Sequence, residues 1–238
     1  MFEGHKISEK EPRNYIKYVG FDMDGTIIDS MPEYIRLFGV LMNEKYKIDN
    51  KIAENHFRAT AGKPTSEQIS SLLAGQNIMI SKIDAFREGN RVALFLGEHS
   101  NPHPFSEIPE VLLTLKEKGY KIFVSSGQQE TVALNKLRKS DLIKYIDFVA
   151  GIKPSEPEFK KGSPHFNAVA KYFGTPIETF VKETIFIGDT PIDMKISQEL
   201  HIRNIGRQRT YTKDNLLGSG AGVVLPNFVN LPEILQNL

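Results

Sequence analysis

In the run Tyr18-Val19-Gly20-Phe21-Asp22-Met23-Asp24-Gly25-Thr26, two carboxylates stand two residues apart where an apolar strand breaks at a glycine. A chain leaving the end of a buried strand turns outward, so Asp22 and Asp24 both reach a crevice above a sheet, and Gly25 permits the bend. Like charges held that close resist ionising together. Either a divalent cation lies between them, or one is protonated and serves as an acid while the other stays an anion.

Three later segments carry groups of matching chemistry. Thr184-Ile185-Phe186-Ile187-Gly188-Asp189 is again an apolar strand running into a glycine and a carboxylate, with Asp193 four residues further on. Hard oxygen ligands of this kind suit Mg²⁺, which takes one or two carboxylates, keeps several waters and leaves room for a substrate phosphate. Tyr120-Lys121-Ile122-Phe123-Val124 ends in the hydroxyls of Ser125 and Ser126, small donors able to bind a phosphoryl oxygen without crowding it. Lys160 and Lys161 stand just ahead of a helix for which Ser163 is the expected N-cap and Pro164 the first residue.

Strand-like runs at 18–21, 121–125, 148–150, 185–187 and 203–205 alternate with helical patterns at 108–118, 130–138, 163–173 and 193–200. Short apolar strands separated by helices predict an α/β fold with a doubly wound parallel sheet, its ligands at the strands' carboxyl ends. One stretch breaks the alternation. From Pro32 to Glu98 apolar residues recur at helical spacing, as in Tyr34-Leu37-Phe38-Leu41 and Ile83-Phe86-Val92-Phe95, without strands. The prolines at 32, 102 and 104 bound an inserted helical bundle and stiffen its connections. The domain reading is 1–31 with 102–238 as the α/β core and 32–101 as the insertion.

The four segments, in this order, resemble the motifs of the haloacid dehalogenase-like superfamily, and the insertion resembles the helical cap of its phosphoglycolate phosphatase and β-phosphoglucomutase branch. That resemblance implies a Rossmannoid core, Mg²⁺, and phosphoryl transfer through an aspartyl-phosphate. Asp22 takes the nucleophile's place and Asp24 that of the acid and base. Ser125 and Lys161 match the residues that hold the phosphoryl oxygens, with Ser126 as a further contact. Asp22, the Asp24 backbone carbonyl and Asp189 take the metal's place, and Asp193 orients Lys161 or a metal-bound water. Lys161 matches by its distance from the helix start, whereas counting back from Gly174 favours Lys160; Lys153, before Pro154, lies too far upstream. Lys63, in the loop Ala59-Thr60-Ala61-Gly62-Lys63-Pro64-Thr65, resembles a cap residue that meets the substrate's leaving group.

A carboxylate at Asp24 separates this chain from the dehalogenase branch, whose halide leaving group needs no proton, and the spelling of the first motif is that of phosphatases rather than phosphonate-cleaving members. The expectation is a Mg²⁺-dependent phosphatase of small phosphorylated metabolites. A β-phosphoglucomutase-type sugar-phosphate mutase and a binding protein that kept the fold without turnover are the alternatives.

The remaining composition is that of an ordinary enzyme. The 238 residues carry a formal charge of +1, without the basic footprint of a nucleic-acid or membrane partner. The absence of cysteine removes disulfides and thiolate chemistry, leaving oxygen and nitrogen groups to act. Met1 to Asn14 has no apolar stretch like that of a signal peptide, and a cytoplasmic monomer or homodimer is expected. His99 and His103, separated by prolines, read as hinge residues rather than metal ligands. Gly218-Ser219-Gly220-Ala221-Gly222 precedes an apolar run and reads as a turn, not a dinucleotide loop.

Overall fold

The computed structural model describes residues 16–153, 155, 156 and 158–238; the reading of the N-terminal segment lies outside them. Six strands, β1 (Tyr18–Phe21), β2 (Lys121–Gln129), β3 (Phe148–Ile152), β4 (Thr184–Gly188), β5 (Arg203–Arg207) and β6 (Val223–Leu225), form one sheet in the order β3-β2-β1-β4-β5-β6. All its pairs are parallel. β1 lies in register with β2 on one side and β4 on the other, Phe21 opposite both Val124 and Ile187. The chain winds outward from β1 in one direction and returns to wind outward the other way from β4. The crevice at such a reversal lies over the carboxyl ends of β1 and β4.

Alternation along the strands fills both faces. Val19, Phe21, Ile122, Val124, Ile185 and Ile187 pack on one side with α5 (Ile108–Glu117), α6 (Glu130–Lys139) and α11 (Leu231–Gln236). Tyr18, Phe123 and Phe186 pack on the other with α7 (Ser163–Tyr172) and α8 (Ile177–Lys182). Each such aromatic ring contributes roughly 1.5–3 kcal/mol by leaving water. Gly20 makes room for one of them: a Cβ there would lie 2.3 Å from the Phe123 ring.

Between β1 and α5 the chain forms four helices, α1 (Met31–Tyr46), α2 (Asn50–Ala59), α3 (Thr65–Gly75) and α4 (Lys82–His99). They close around their own cluster, with Phe38, Met42, Phe57, Ile69, Leu73 and Val92 inside. Local signals set their ends. Pro32 occupies the first turn of α1, Asp49 caps α2 by accepting from the Lys51 and Ile52 amides, and Ser81 caps α4. Ile83 and Phe86, which the periodicity placed inside, are instead exposed at the start of α4, because the apolar stripe that reaches the cluster begins only at Ala85 and Val92.

Other boundaries move slightly. β2 continues four residues past Ser125, through an irregularity, to Gln129, so its serines sit within the strand rather than at its end. α7 begins at Ser163 with Gly162, not Ser163, as its cap; the glycine's φ of 120° is open only to a residue without a side chain. α9 (Pro191–Glu199) starts two residues before Asp193. The short elements α10 (Lys213–Gly218), β6 and α11 complete the far edge. Among the described residues no helix is long and apolar enough to cross a membrane.

Candidate active site

β1 ends at Phe21, and the next amide, that of Asp22, donates to the Ile187 carbonyl of β4 at 2.8 Å. Asp22 is thereby fixed beside Asp189, the first residue past β4. The turn after Asp22 is closed by the Met23 carbonyl, which accepts from the Ile27 and Ile28 amides at 3.0 Å each. Gly25 takes φ of 87°, and a Cβ on it would lie 2.3 Å from Asp189 Oδ2. A glycine is therefore required twice over, by conformation and by the approach of the second carboxylate.

Asp22, Asp189 and Asp193 each present a carboxylate oxygen, all within 4.8 Å of one another, and all three are buried. Lys161 answers them. Its ammonium donates to Asp22 Oδ1 and Asp193 Oδ1 at 2.5 Å each, while Lys160 is exposed; of the two candidates, Lys161 is the one brought to the carboxylates. Asp193 divides its oxygens between two tasks. Oδ1 holds Lys161, and Oδ2 accepts from the Thr190 amide and hydroxyl at 3.1 and 2.6 Å, closing a capping box at the start of α9. The Thr26 hydroxyl lies between the strand ends, 3.3 Å from Asp22 Oδ2 and 3.2 Å from Asp189 Oδ1.

The electrostatics follow from crowding. Burial, with Asp193 and Asp24 adding repulsion, outweighs the Lys161 ammonium and pushes Asp22 up to about 7. Asp189 is raised well above the usual carboxylate range by burial and by the charges of Asp22 and Asp193. Burial alone would lower Lys161, but Asp193 and Asp22 more than offset it and hold its pKa up. The cluster is short of positive charge. Its spacing and its all-oxygen donors fit one small octahedral cation such as Mg²⁺, whose charge would reverse the upward shifts.

Asp24 faces the other way. Its Oδ1 accepts from Ser30 Oγ at 2.6 Å and from the Lys136 ammonium, and its Oδ2 lies 3.4 Å from the Tyr34 hydroxyl. Lys136 also donates to the Tyr34 oxygen at 2.7 Å, as does Gln128 Nε2 at 3.2 Å. Ser125 Oγ lies 2.9 Å from His165 Nδ1, and Ser126 Oγ accepts from the Gln128 amide at 3.1 Å.

The sequence reading missed Thr26, Ser30, Tyr34, Lys136 and His165. A lysine on an amphipathic helix reads as a solvated charge, yet Lys136 is 2 % exposed and its partners are 112 and 102 residues away. His165 directly follows the Ser163-Pro164 helix start, but nothing in that pattern pointed it toward Ser125.

The helical insertion meets the core through Tyr34, through Gly97 of α4, where a Cβ would lie 2.4 Å from Val132 of α6, and through its loop after α2. Gly62, with φ of 85°, packs on Thr190, and Tyr211 donates to the Ala61 carbonyl at 2.6 Å. Lys63, next in that loop, is exposed and lines a cleft of about 680 Å³ between α3 and α4 with Ser66, Glu67, Lys82 and Phe86. That cleft does not include the aspartates. His99 stacks on Phe95 with ring centroids 4.0 Å apart and is bonded to the Phe95 carbonyl. The His103 carbonyl accepts from the Asp29 amide at the return of the insertion.

The doubly wound core is of the Rossmannoid kind, with buried carboxylates and a lysine converging at its switch point. Residues 19–206 match the model of the haloacid dehalogenase-like hydrolases, and the chain belongs to that family. It is 27 % identical over 191 residues, 80 % of each chain, to a protein provisionally assigned as pyrophosphatase PpaX in Caldanaerobacter subterraneus subsp. tengcongensis. It is 22 % identical over 231 residues, 94 % of each, to a phosphoglycolate phosphatase of Neisseria meningitidis. Its fold is similar to a crystal structure of a predicted phosphoglycolate phosphatase from Haemophilus somnus, with a TM-score of 0.75 at 18 % identity, over 92 % of this chain and 97 % of that one. A provisionally assigned β-phosphoglucomutase from Thermotoga maritima gives 0.65 at 20 %, over 94 % and 100 %.

Proposed function

We propose that this chain is a Mg²⁺-dependent phosphatase that hydrolyses a small phosphorylated metabolite through an aspartyl-phosphate on Asp22. The carrying observation is that Asp22, fixed at the end of β1, shares Lys161 with Asp193 at 2.5 Å on each side while Asp189 stands against the same turn. Asp22 is the nucleophile, attacking phosphorus and splitting one difficult displacement into two easier ones. Lys161 and the Ser125 hydroxyl hold the equatorial phosphoryl oxygens, with Ser126 beside them. Asp193 orients Lys161. Asp24 gives a proton to the leaving oxygen and takes one from the water that hydrolyses the acyl phosphate. Asp22, the Asp24 backbone carbonyl and Asp189 would hold Mg²⁺, which when bound supplies the positive charge that lets a carboxylate approach an anionic phosphoryl group.

On this reading 1–31 with 102–238 form the catalytic core and 32–101 a cap, hinged near Met31 and Asn101. The Asn101 amide donates to Glu33 Oε2 at 2.6 Å across that hinge. The near-balanced charge supports a small-molecule substrate rather than a nucleic acid or membrane; on this reading the enzyme is cytoplasmic and monomeric or homodimeric. The test is release of inorganic phosphate from p-nitrophenyl phosphate with Mg²⁺, followed by a panel that includes pyrophosphate and phosphoglycolate, the substrates in the relatives' names. A protein that releases no phosphate from any of them, or that converts a sugar phosphate into its isomer faster than it releases phosphate, overturns the phosphatase reading.

A further inference from the structure

His165 is a buried titratable group that the proposed mechanism leaves unused. It lies on the first turn of α7, its side chain fully buried, against the Phe159 ring with centroids 4.9 Å apart. Its Nδ1 is 2.9 Å from Ser125 Oγ, itself fully buried. Its Nε2 has no hydrogen-bond partner among the described residues. Burial, then the nearby Lys161 and Lys153 ammonium groups, lowers its pKa to about 4, so the ring is neutral near pH 7 and carries one N–H.

Where that single proton sits decides what Ser125 can do. On Nε2 it would be a buried donor with no acceptor, while Nδ1 would take the serine's only proton as an acceptor. Buried donors left unpaired are rare, because the desolvation of the group goes uncompensated. On Nδ1 it donates to Ser125 Oγ, and only a lone pair is left unmet at Nε2, in the positive field of the two lysines. Ser125 then receives at its oxygen and keeps its own proton.

We propose that His165 is a positioning residue for phosphoryl transfer: its Nδ1–H donates to Ser125 Oγ, leaving the serine hydroxyl proton to point at a phosphoryl oxygen. The inference rests on the phosphatase reading of the site and adds to it a residue to which the four motifs assign no role. It explains why a histidine is buried in this place, since a second-row donor fixes both the rotamer and the proton direction of the hydroxyl that must meet the substrate.

Two measurements test it. Long-range ¹H–¹⁵N correlation of the intact protein at pH 7, with the His165 signals assigned by their loss in His165→Asn, reads the tautomer directly. A protonated Nδ1 with an unprotonated Nε2 is expected; a proton on Nε2 overturns the inference. In kinetics on p-nitrophenyl phosphate, His165→Asn retains an N–H near the place of Nδ1 and keeps kcat/KM within about threefold, whereas His165→Leu loses about tenfold or more. Because the loss runs through Ser125, adding Ser125→Ala to His165→Leu costs far less than Ser125→Ala alone. Additive losses, or equal losses in the asparagine and leucine variants, overturn it. If the leucine variant does not fold, the tautomer decides. A wild type inactive on every phosphate ester would remove the functional reading and this inference together, whereas an active wild type with its proton on Nε2 removes this inference alone.

Discussion

At the carboxyl ends of β1 and β4, buried charges answer one another within hydrogen-bond distance; in the insertion's loop at 60–64, which packs on Thr190 and Tyr211 beside them, the one charged side chain, Lys63, is exposed. The first region is over-determined. Asp22 is held by a strand-to-strand backbone bond, a glycine turn and a lysine that also answers Asp193. The second meets the core through one backbone carbonyl and one glycine contact, its other bonds, among them Gln68 Nε2 and the Lys63 amide to the Thr60 carbonyl, lying within the insertion. Rigid preorganisation belongs where charge must be stabilised during reaction, and a lightly tethered loop belongs where different substrates must be accommodated. The contrast divides the molecule into a part that sets the chemistry and a part that sets the substrate.

The severest test of the first part is Asp22→Asn. It leaves size and packing almost unchanged and relieves the repulsion within the cluster, so the fold should be kept or stabilised, while turnover falls at least about a thousandfold. Thermal unfolding and phosphate release measured on the same preparation check both halves. A purified variant with more than about a tenth of wild-type activity would show that Asp22 is not the nucleophile.

Metal removal should be almost as severe. Excess EDTA is expected to abolish activity and Mg²⁺ to restore it, whereas Ca²⁺, with longer bonds and higher coordination, should inhibit by engaging both oxygens of Asp22. Undiminished rates in EDTA would sink the metal-assisted reading.

The same crowding predicts a pH effect on stability of intermediate size. The pKa of Asp22 is raised in the folded state, to about 7, and that of Asp189 is raised as well. These two groups therefore bind more protons in the native state than in the unfolded chain between the ordinary carboxylate range and about pH 7, and their contribution to stability falls as pH rises across that window, whereas His165, lowered to about 4, contributes in the opposite sense below its ordinary value. Lys161, also raised, has the opposite sense: its contribution is complete below its unfolded value and is lost only under strongly alkaline conditions. In EDTA the melting temperature of the wild type relative to that of Asp22→Asn, a comparison in which the opposite slope from His165 is common to both and cancels, should thus decline from pH 4 to 7, and Mg²⁺ should flatten or reverse that decline. A flat profile without metal would mean that the cluster relaxes on ionising and is less rigid than its geometry.

The two parts also differed in how far the sequence disclosed them. Apolar runs that end in Asp22 or Gly188-Asp189 betray both strand and function, because the same few residues terminate the sheet and carry the charge. The parallel doubly wound sheet followed from their alternation with helices. Ser30, Tyr34 and Lys136 around Asp24 were invisible, since their meeting depends on how α1 and α6 pack and not on any local pattern. The edge elements β6, α10 and α11 escaped for a different reason: runs of three to six residues are too short for a period to register. Ile83 and Phe86 fit a helical period and still face solvent, because periodicity gives a face without saying what covers it.

The smallest expected effect falls on the second part. Lys63 was read as a contact to the substrate's leaving group, and its exposed place in the cleft between α3 and α4 limits what such a contact contributes. An exposed charge pair is screened by water and salt and gives about 0.2–1 kcal/mol, so Lys63→Ala should lower kcat/KM for the physiological substrate by no more than about fivefold. On p-nitrophenyl phosphate, which lacks the contact, it should change nothing. A much larger, substrate-selective loss would mean that the loop turns Lys63 inward around the bound substrate and that the exposed arrangement is the resting one. An equal loss on both substrates would place the residue in cap closure instead, and the loop would then belong with the part of the molecule that sets the chemistry.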